Sequence, residues 1–298
     1  MALLFGYDDG MKTLNATSCY IPAAVMGFVI AAAVAVSAAA ATTLVVCAPG
    51  YPGSTLEAQP AMDGLADAMV RAAEWPEGSI SAAYFESEND GLERIGKVDA
   101  GLVLLTLPMY LKHRVDLGLT AHLQVQPTGR TCNESWTLVA GKDLVKVPED
   151  LAGWEILSLA GHAPGFVRGP ALGGWGTLSD STTIIFSGKV LSGLRSASRG
   201  EHVALLLDGQ QFASLERLPF AKDLEAVYHS PSFPVSLVCS VGNRLKPDRV
   251  HELITAFMKL DSDIEAESAM AGVRLERFTE VDPDALEKAT TAFDGVTE

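Results

Sequence analysis

Short apolar runs alternate with amphipathic stretches along most of the chain. Thr43–Cys47, Ile80–Phe85, Gly101–Leu107 and Thr120–Val125 have strand length, and the most apolar of them read as strands buried on both faces. Between the first two, Leu56, Met62, Leu65 and Met69 are among the apolar positions of a predicted helix that ends near Ala73. Ser54 stands at its cap and Glu57 at the capping-box position. Shorter helices are predicted over Asp90–Ile95 and Pro108–Arg114, the second opened by a proline that suits a first helical turn. This alternation predicts an α/β layer with a mainly parallel sheet.

Gln126–Ser135 (QPTGRTCNES) is polar and breaks the rhythm, so it reads as a crossing into a second lobe. Strands follow at Trp136–Ala140, Glu155–Leu159, Thr182–Phe186 and Val203–Leu207, with a helical turn at Pro148–Leu151 and helices from Phe166 and over Lys189–Ser198. Leu224–His229 and Pro234–Val241 read as two strands around a Pro/Ser break, and Pro247–Leu260 and Pro283–Phe293 as closing helices. Trp136–Leu151 and Val235–Val250 echo one another: strand, polar turn, then Lys, Pro and an acid at a helix start, each just after a passage between lobes. The expected boundaries are residues 1–41 as a leader, 42–127 plus 236–298 as the first lobe, and 128–235 as the second.

Tyr20–Ala41 is an almost pure apolar block ending in small residues, with A-x-A-like cleavage positions near Val36-Ser37-Ala38. It predicts an export signal peptide, the rival reading being an uncleaved membrane anchor. Met11 offers an alternative start with a more ordinary flank. Either way the folded part is expected outside the cytoplasm, in the periplasm. The net charge of −15 argues against nucleic acid and anionic membrane faces as partners. Cys47, Cys132 and Cys239 are left outside the leader; one pair could form a disulfide, or all three could stay buried as small apolar side chains. No C-x-x-C and no His/Cys cluster at metal-ligand spacing occurs, so neither metal nor cofactor is expected. G-x-S-x-G, H-E-x-x-H and the P-loop pattern are also missing, and the chain is not expected to be an enzyme.

Gly96–Tyr110 (GKVDAGLVLLTLPMY) joins a polar turn, a buried strand and a helix start, and ligands of open α/β sheets bind at such strand ends. Together with WTLVAGKDL, VPEDLAGWEILSLAG and PVSLVCSVGNRLKPDRVHELITAFMKL, it makes the chain resemble the periplasmic solute-binding proteins of the phosphate/phosphite/phosphonate type, receptors of ABC importers. The resemblance covers roughly Thr43–Phe293. It implies two α/β lobes on a two-stranded hinge that close over a ligand, a monomer, and delivery of a small molecule to an inner-membrane transporter permease.

On that reading the ligand-binding candidates are Tyr51, Ser54, Thr106, Met109 and Tyr110 from the first lobe, and His162, Phe166, Asp208 and Gln210 from the second. His162 lies between a strand and a helix start, where backbone N–H groups favour a negative or polar group. Two positions depart from the family. The loop Gly161–Phe166 has no hydroxyl where the family carries a Ser/Thr-rich turn, and Met109 replaces a small polar residue. They predict a weakly charged or apolar ligand, a sterol-like lipid among them, rather than a simple phosphonate. The alternatives are a phosphonate- or phosphate-type anion receptor and a membrane-anchored sensory or lipid-trafficking module of the same fold.

Overall fold

The computed structural model describes residues 41–51, 53–262 and 264–296. Apart from Ala41, the expected export segment lies outside the described residues. The strands are β1 (Thr42–Cys47), β2 (Ile80–Phe85), β3 (Leu102–Thr106), β4 (Leu119–Pro127), β5 (Asn133–Gly141), β6 (Glu155–Ser158), β7 (Thr183–Phe186), β8 (Val203–Leu207), β9 (Leu224–Pro234), β10 (Ser236–Val241) and β11 (Leu275–Glu280). The helices are α1 (Thr55–Ala72), α2 (Glu88–Ile95), α3 (Leu107–His113), α4 (Pro164–Phe166), α5 (Val190–Ser198), α6 (Gly209–Ala213), α7 (Pro247–Phe257), α8 (Ile264–Gly272) and α9 (Pro283–Asp294). A π-helical turn, Val167–Ala171, continues α4. Among the described residues no helix is long and apolar enough to cross a membrane.

Two mixed sheets form two lobes. The first has the order β11-β4-β10-β3-β1-β2 and the second β7-β6-β8-β5-β9. In the first, β2, β1 and β3 are parallel and β10 runs antiparallel between β3 and β4. In the second, β7, β6 and β8 are parallel and β5 runs antiparallel between β8 and β9. The five-strand pattern β2-β1-β3-β10-β4 therefore repeats as β7-β6-β8-β5-β9. The two echoed segments supply the inserted antiparallel strand of each sheet, since β5 lies in one and β10 in the other. The lobes are joined where β4 passes to β5 and β9 to β10. These crossings are hydrogen-bonded together, Val235 N donating to the Cys132 carbonyl at 3.0 Å.

Local chemistry explains the elements that place the strand ends. Every residue of β1, β3 and β10 is buried, as their apolar runs require in the middle of a covered sheet. Ahead of β3, Arg94 holds both oxygens of Asp99, at 3.0 and 2.6 Å, and Asp99 accepts from Thr43 of β1 at 2.9 Å. The polar turn is thus a clamp that sets where β3 starts. The Arg94 guanidinium also holds the Asp99 carboxyl below its usual range. The capping box forms as expected: Glu57 N donates to Ser54 Oγ, and Ser54 N to the Glu57 carboxylate.

Three features differ from expectation. β9 is continuous through Ser230-Pro231-Ser232-Phe233-Pro234, because it is an edge strand and its prolines forfeit no second ladder. A register shift accommodates Pro231, and the Ser230 hydroxyl accepts the Trp136 N–H at 2.8 Å. Helix α8 and strand β11 fill a stretch with no expected element; β11 (LERFTE) is a charged edge strand with only Phe278 buried. The last helix, α9, falls within the range expected of the first lobe but packs on the π-helical turn and β9 of the second sheet. Its Asp294 pairs with Arg114, whose guanidinium also lies 5.5 Å over the Phe293 ring.

One buried cluster runs from Val45, Val103 and Leu105 of the first sheet through Leu107 and Met109 to Trp136, Ile156, Phe166 and Leu206 of the second. A second cluster, with Leu44, Met62, Leu65, Leu104 and Val238, lies on the α1 side of the first sheet. All three described cysteines are free thiols. Burial is the first cause that pushes Cys47 up to about 12, while Cys239 is raised by burial alone.

Candidate ligand-binding site

The carboxyl ends of β1 and β3 in one lobe meet those of β6 and β8 in the other. After β1, Gly50 takes a positive φ of 77°, and a Cβ there would stand 2.7 Å from Leu159 Cδ2 and 2.9 Å from the Phe186 ring. The glycine therefore does two jobs, turning the chain and letting its backbone touch the second lobe. The turn delivers Tyr51, whose hydroxyl donates to Asp208 Oδ2 at 2.9 Å across the cleft. Asp208 follows β8 and caps α6, accepting from Gln211 N at 2.8 Å, and it is 1% exposed.

A polar network surrounds this link. Glu134 of β5 accepts from Gly209 N at 3.0 Å and from Arg130 at 3.1 Å, and Arg130 also donates to Gln210 Oε1 at 3.2 Å. Burial, with the charge of Asp208 added, pushes the Glu134 carboxyl up to about 7 despite Arg130. Burial also raises the Tyr51 hydroxyl well above its usual range, and Asp208 and Glu134 push the same way, so Tyr51 stays a donor.

A second contact lies between the lobes. His162 ends a 3-10 turn after β6, and its carbonyl accepts from Lys112 Nζ at 2.6 Å. Its ring meets Phe186 edge-on at 5.7 Å. Its buried Nδ1 has no hydrogen-bond partner and lies 3.9 Å from Glu88 Oε2. Glu88 is paired with Lys112 at 2.7 Å and His113 at 2.6 Å. For Glu88, those hydrogen bonds outweigh desolvation and hold the carboxyl below its usual range. Desolvation drives His162 down to about 4, so its ring is neutral at pH 7.

A cavity of about 330 Å³ opens beside the Tyr51–Asp208 link and runs under α1 into the first lobe. Val46, Leu104 and Val125 of the sheet and Met62 and Leu65 of α1 form apolar walls, while Tyr51, Tyr84, Thr106, Arg130, Gln210 and Arg274 bring polar groups. A neighbouring space of about 410 Å³ is polar, lined by Arg130, Thr131, Asn133, Glu134, Ser135, Gly209 and Ser232. Asn133 Oδ1 is buried without a partner, and its Nδ2 donates to Asp282 at 3.0 Å. Arg130 lines both spaces. Among the described residues no cluster of His, Cys, Asp and Glu is arranged to hold a metal ion.

Of the candidates read from sequence, Tyr51, Thr106 and Gln210 line the apolar-walled cavity, and Asp208 is bonded to Tyr51. Ser54 caps α1 between two lining residues, Gly53 and Glu57. His162 belongs to the other interlobe contact. Met109 and Phe166 are fully buried and Tyr110 nearly so, all in the core shared by the two sheets. Phe166 packs there edge-on against Trp136 at 5.2 Å. Arg130, Glu134, Tyr84 and Arg274 went unread. The only cation in the polar crossing 126–135 is Arg130, a charge signal that singles it out. Arg274 gave no such signal, since it sits in a turn outside any expected element.

No protein-family model matches this chain, and no curated protein matches it. Solved structures do. XAC2383 from Xanthomonas citri, bound to ATP, is 12% identical with a TM-score of 0.66, over 85% of this chain and 98% of that one. PhnD1 from Prochlorococcus marinus in complex with methylphosphonate is 13% identical with a TM-score of 0.58, over 86% of this chain and 99% of that one. A binding protein component of an ABC phosphonate transporter from Pseudomonas aeruginosa is 13% identical with a TM-score of 0.56, over 83% of each chain. Two mixed sheets, each with one antiparallel strand inserted after a passage between lobes, and these matches over most of the chain give it the fold of the type II periplasmic binding proteins.

Proposed function

We propose that this chain is an exported receptor that captures a small, weakly charged or apolar molecule at the junction of its lobes and delivers it to a membrane transporter. The observation that carries the reading is the cavity at the strand ends, with Tyr51 and Thr106 on one side and Gln210 on the other. At about 330 Å³ it lies within the range of small-molecule pockets, roughly 300–1,000 Å³. Its walls are aliphatic. Burial of roughly 200 Å² of apolar ligand surface there contributes about 5 kcal/mol before the cost of association.

The mechanism is closure rather than chemistry. A ligand that touches both lobes favours the closed arrangement only by its differential affinity for it. The Tyr51–Asp208 hydrogen bond and the Lys112–His162 contact are the protein's own share of that closure. A phosphonate-type anion is the second reading, and the methylphosphonate in the Prochlorococcus structure supports it. Against it, the loop Gly161–Phe166 offers no hydroxyl.

Mass spectrometry of small molecules that co-purify with the secreted protein tests the reading, followed by small-angle scattering with the identified molecule. An apolar or weakly charged ligand that compacts the protein is the expected result. Stabilisation by phosphonates alone would replace the first reading with the second, and saturating binding without compaction would sink the closure mechanism.

A further inference from the structure

The apolar-walled cavity is built almost wholly by one lobe. Its apolar walls come from β1, β3, β4 and α1, and among the described residues Gln210 is the only lining residue from the second sheet's helices. A solute held in the cleft alone would leave this space unfilled. With aliphatic walls on several sides, it suits hydrocarbon better than water, which needs two to four polar partners. At about 30 Å³ for each methylene-sized group, the volume accommodates roughly ten carbons.

The mouth has a sign. Among the described residues Glu57 is the only acid in the lining, and its carboxylate already accepts from Ser54 N and Oγ, both at 2.9 Å. Of the two cations, Arg130 is paired with Glu134. Arg274 is exposed at the α8–β11 turn, and its charge reaches Tyr84, whose hydroxyl burial nonetheless pushes up to about 12. Among the described residues its guanidinium has no ion-pair partner, so it is open to an anion at the mouth.

We propose that this cavity holds the hydrocarbon chain of an anionic amphiphile, about ten carbons long, with the head group against Arg274 at the mouth. The proposal rests on the receptor reading for its biological sense but not on lobe closure. It differs from a cleft-bound solute in putting most of the ligand inside one lobe.

Calorimetric titration of the full-length protein with hexanoate, octanoate, decanoate and dodecanoate, each below its micellar concentration, tests it. The expected dissociation constant falls about four-fold per methylene up to roughly ten carbons and then levels. Decanol and decyltrimethylammonium are expected to bind at least about ten-fold more weakly than decanoate, since an ionic hydrogen-bonded contact is lost. Arg274→Gln is expected to abolish that preference while keeping the chain-length dependence, and Ala58→Phe, at the cavity lining, to weaken every chain.

Methyl-labelled methionine spectra locate the site without a variant: decanoate should shift Met62, in the wall, and leave exposed Met258 unmoved. A flat chain-length series, equal binding of decyltrimethylammonium, or an unmoved Met62 would overturn the proposal. Decanoate binding that moves Met62 with an unchanged scattering profile would uphold it and remove lobe closure. Closure on a small, weakly charged solute, with no chain-length dependence, would overturn it and leave the receptor reading standing.

Discussion

The Tyr51 hydroxyl donates to the Asp208 carboxylate at 2.9 Å, and the two residues leave strand ends of different sheets, 157 positions apart in the chain. Asp208 is almost wholly shielded from water, so the donors it holds take the place of solvent. Tyr51→Phe removes one donor and leaves Gln211 N. The expected loss is about 1–3 kcal/mol of stability, the cost of an under-satisfied buried carboxylate. Urea unfolding measures it, and scattering should show a larger mean radius as the lobes part. An unchanged radius and midpoint would show that the bond does not hold the lobes.

Glu134 gives this link a pH dependence. Its carboxyl titrates near 7 in the folded protein and near 4.5 unfolded. Between those values the folded state binds more protons, so stability falls as pH rises through that window. The full effect is on the order of 3 kcal/mol. Glu134→Gln keeps an acceptor for Arg130 and Gly209 and should flatten urea midpoints between pH 5 and 7. A slope equal to wild type would assign the titration to another group.

His162 works in the opposite direction. Its folded value of about 4 lies below the ordinary 6.5, so the unfolded chain takes up a proton first as pH falls. Stability is then present above pH 6.5 and lost between about 6.5 and 4. Glu88, held below its usual range, adds to the loss at the acid end. His162→Phe keeps the edge-on packing on Phe186 and should remove the His part of the slope. Nuclear magnetic resonance titration of the ring checks the cause; an ordinary value near 6.5 would refute it.

Gly50 and Gly53 form an internal control. Both hold a positive φ, 77° and 116°, but a Cβ on Gly50 strikes Leu159 and Phe186 while one on Gly53 meets nothing within 4 Å. Gly53→Ala should cost only the backbone term, about 1 kcal/mol. Gly50→Ala should cost about 1–3 kcal/mol more, because the second lobe must move away. Equal melting temperatures for the two variants would mean that the lobes do not touch at Gly50 in solution.

The order of elements was legible wherever burial left a plain mark. β1, β2, β3 and β8 are continuous apolar runs or nearly so, and α1 carries its own start signal at Ser54 and Glu57. β11 was hidden because an edge strand exposes one side and fills it with charge, and Pro231 disguised β9 for the same edge reason. The site was legible in part. Strand-end logic leads to Tyr51, Thr106 and Gln210, but it treats every residue of a strand–helix junction alike. Met109 and Phe166 sit at such junctions with their side chains in the shared core, and no local pattern separates core from cleft there. Arg274 reaches the cavity through long-range packing of α8 against α1, which no short window contains.

The late return of β10 to the first sheet also sets an order of assembly. Residues 133–234 contain all five strands of the second sheet, which can pair as soon as that segment exists. The first sheet begins earlier yet finishes later, because the slot between β3 and β4 stays empty until Ser236–Val241 arrives. Until then those two strands present open inner edges, the kind that recruit a neighbouring chain. The part of the protein made first is therefore the last to be completed, and while residues 128–241 are being made the half that carries the apolar cavity depends on whatever guards those edges.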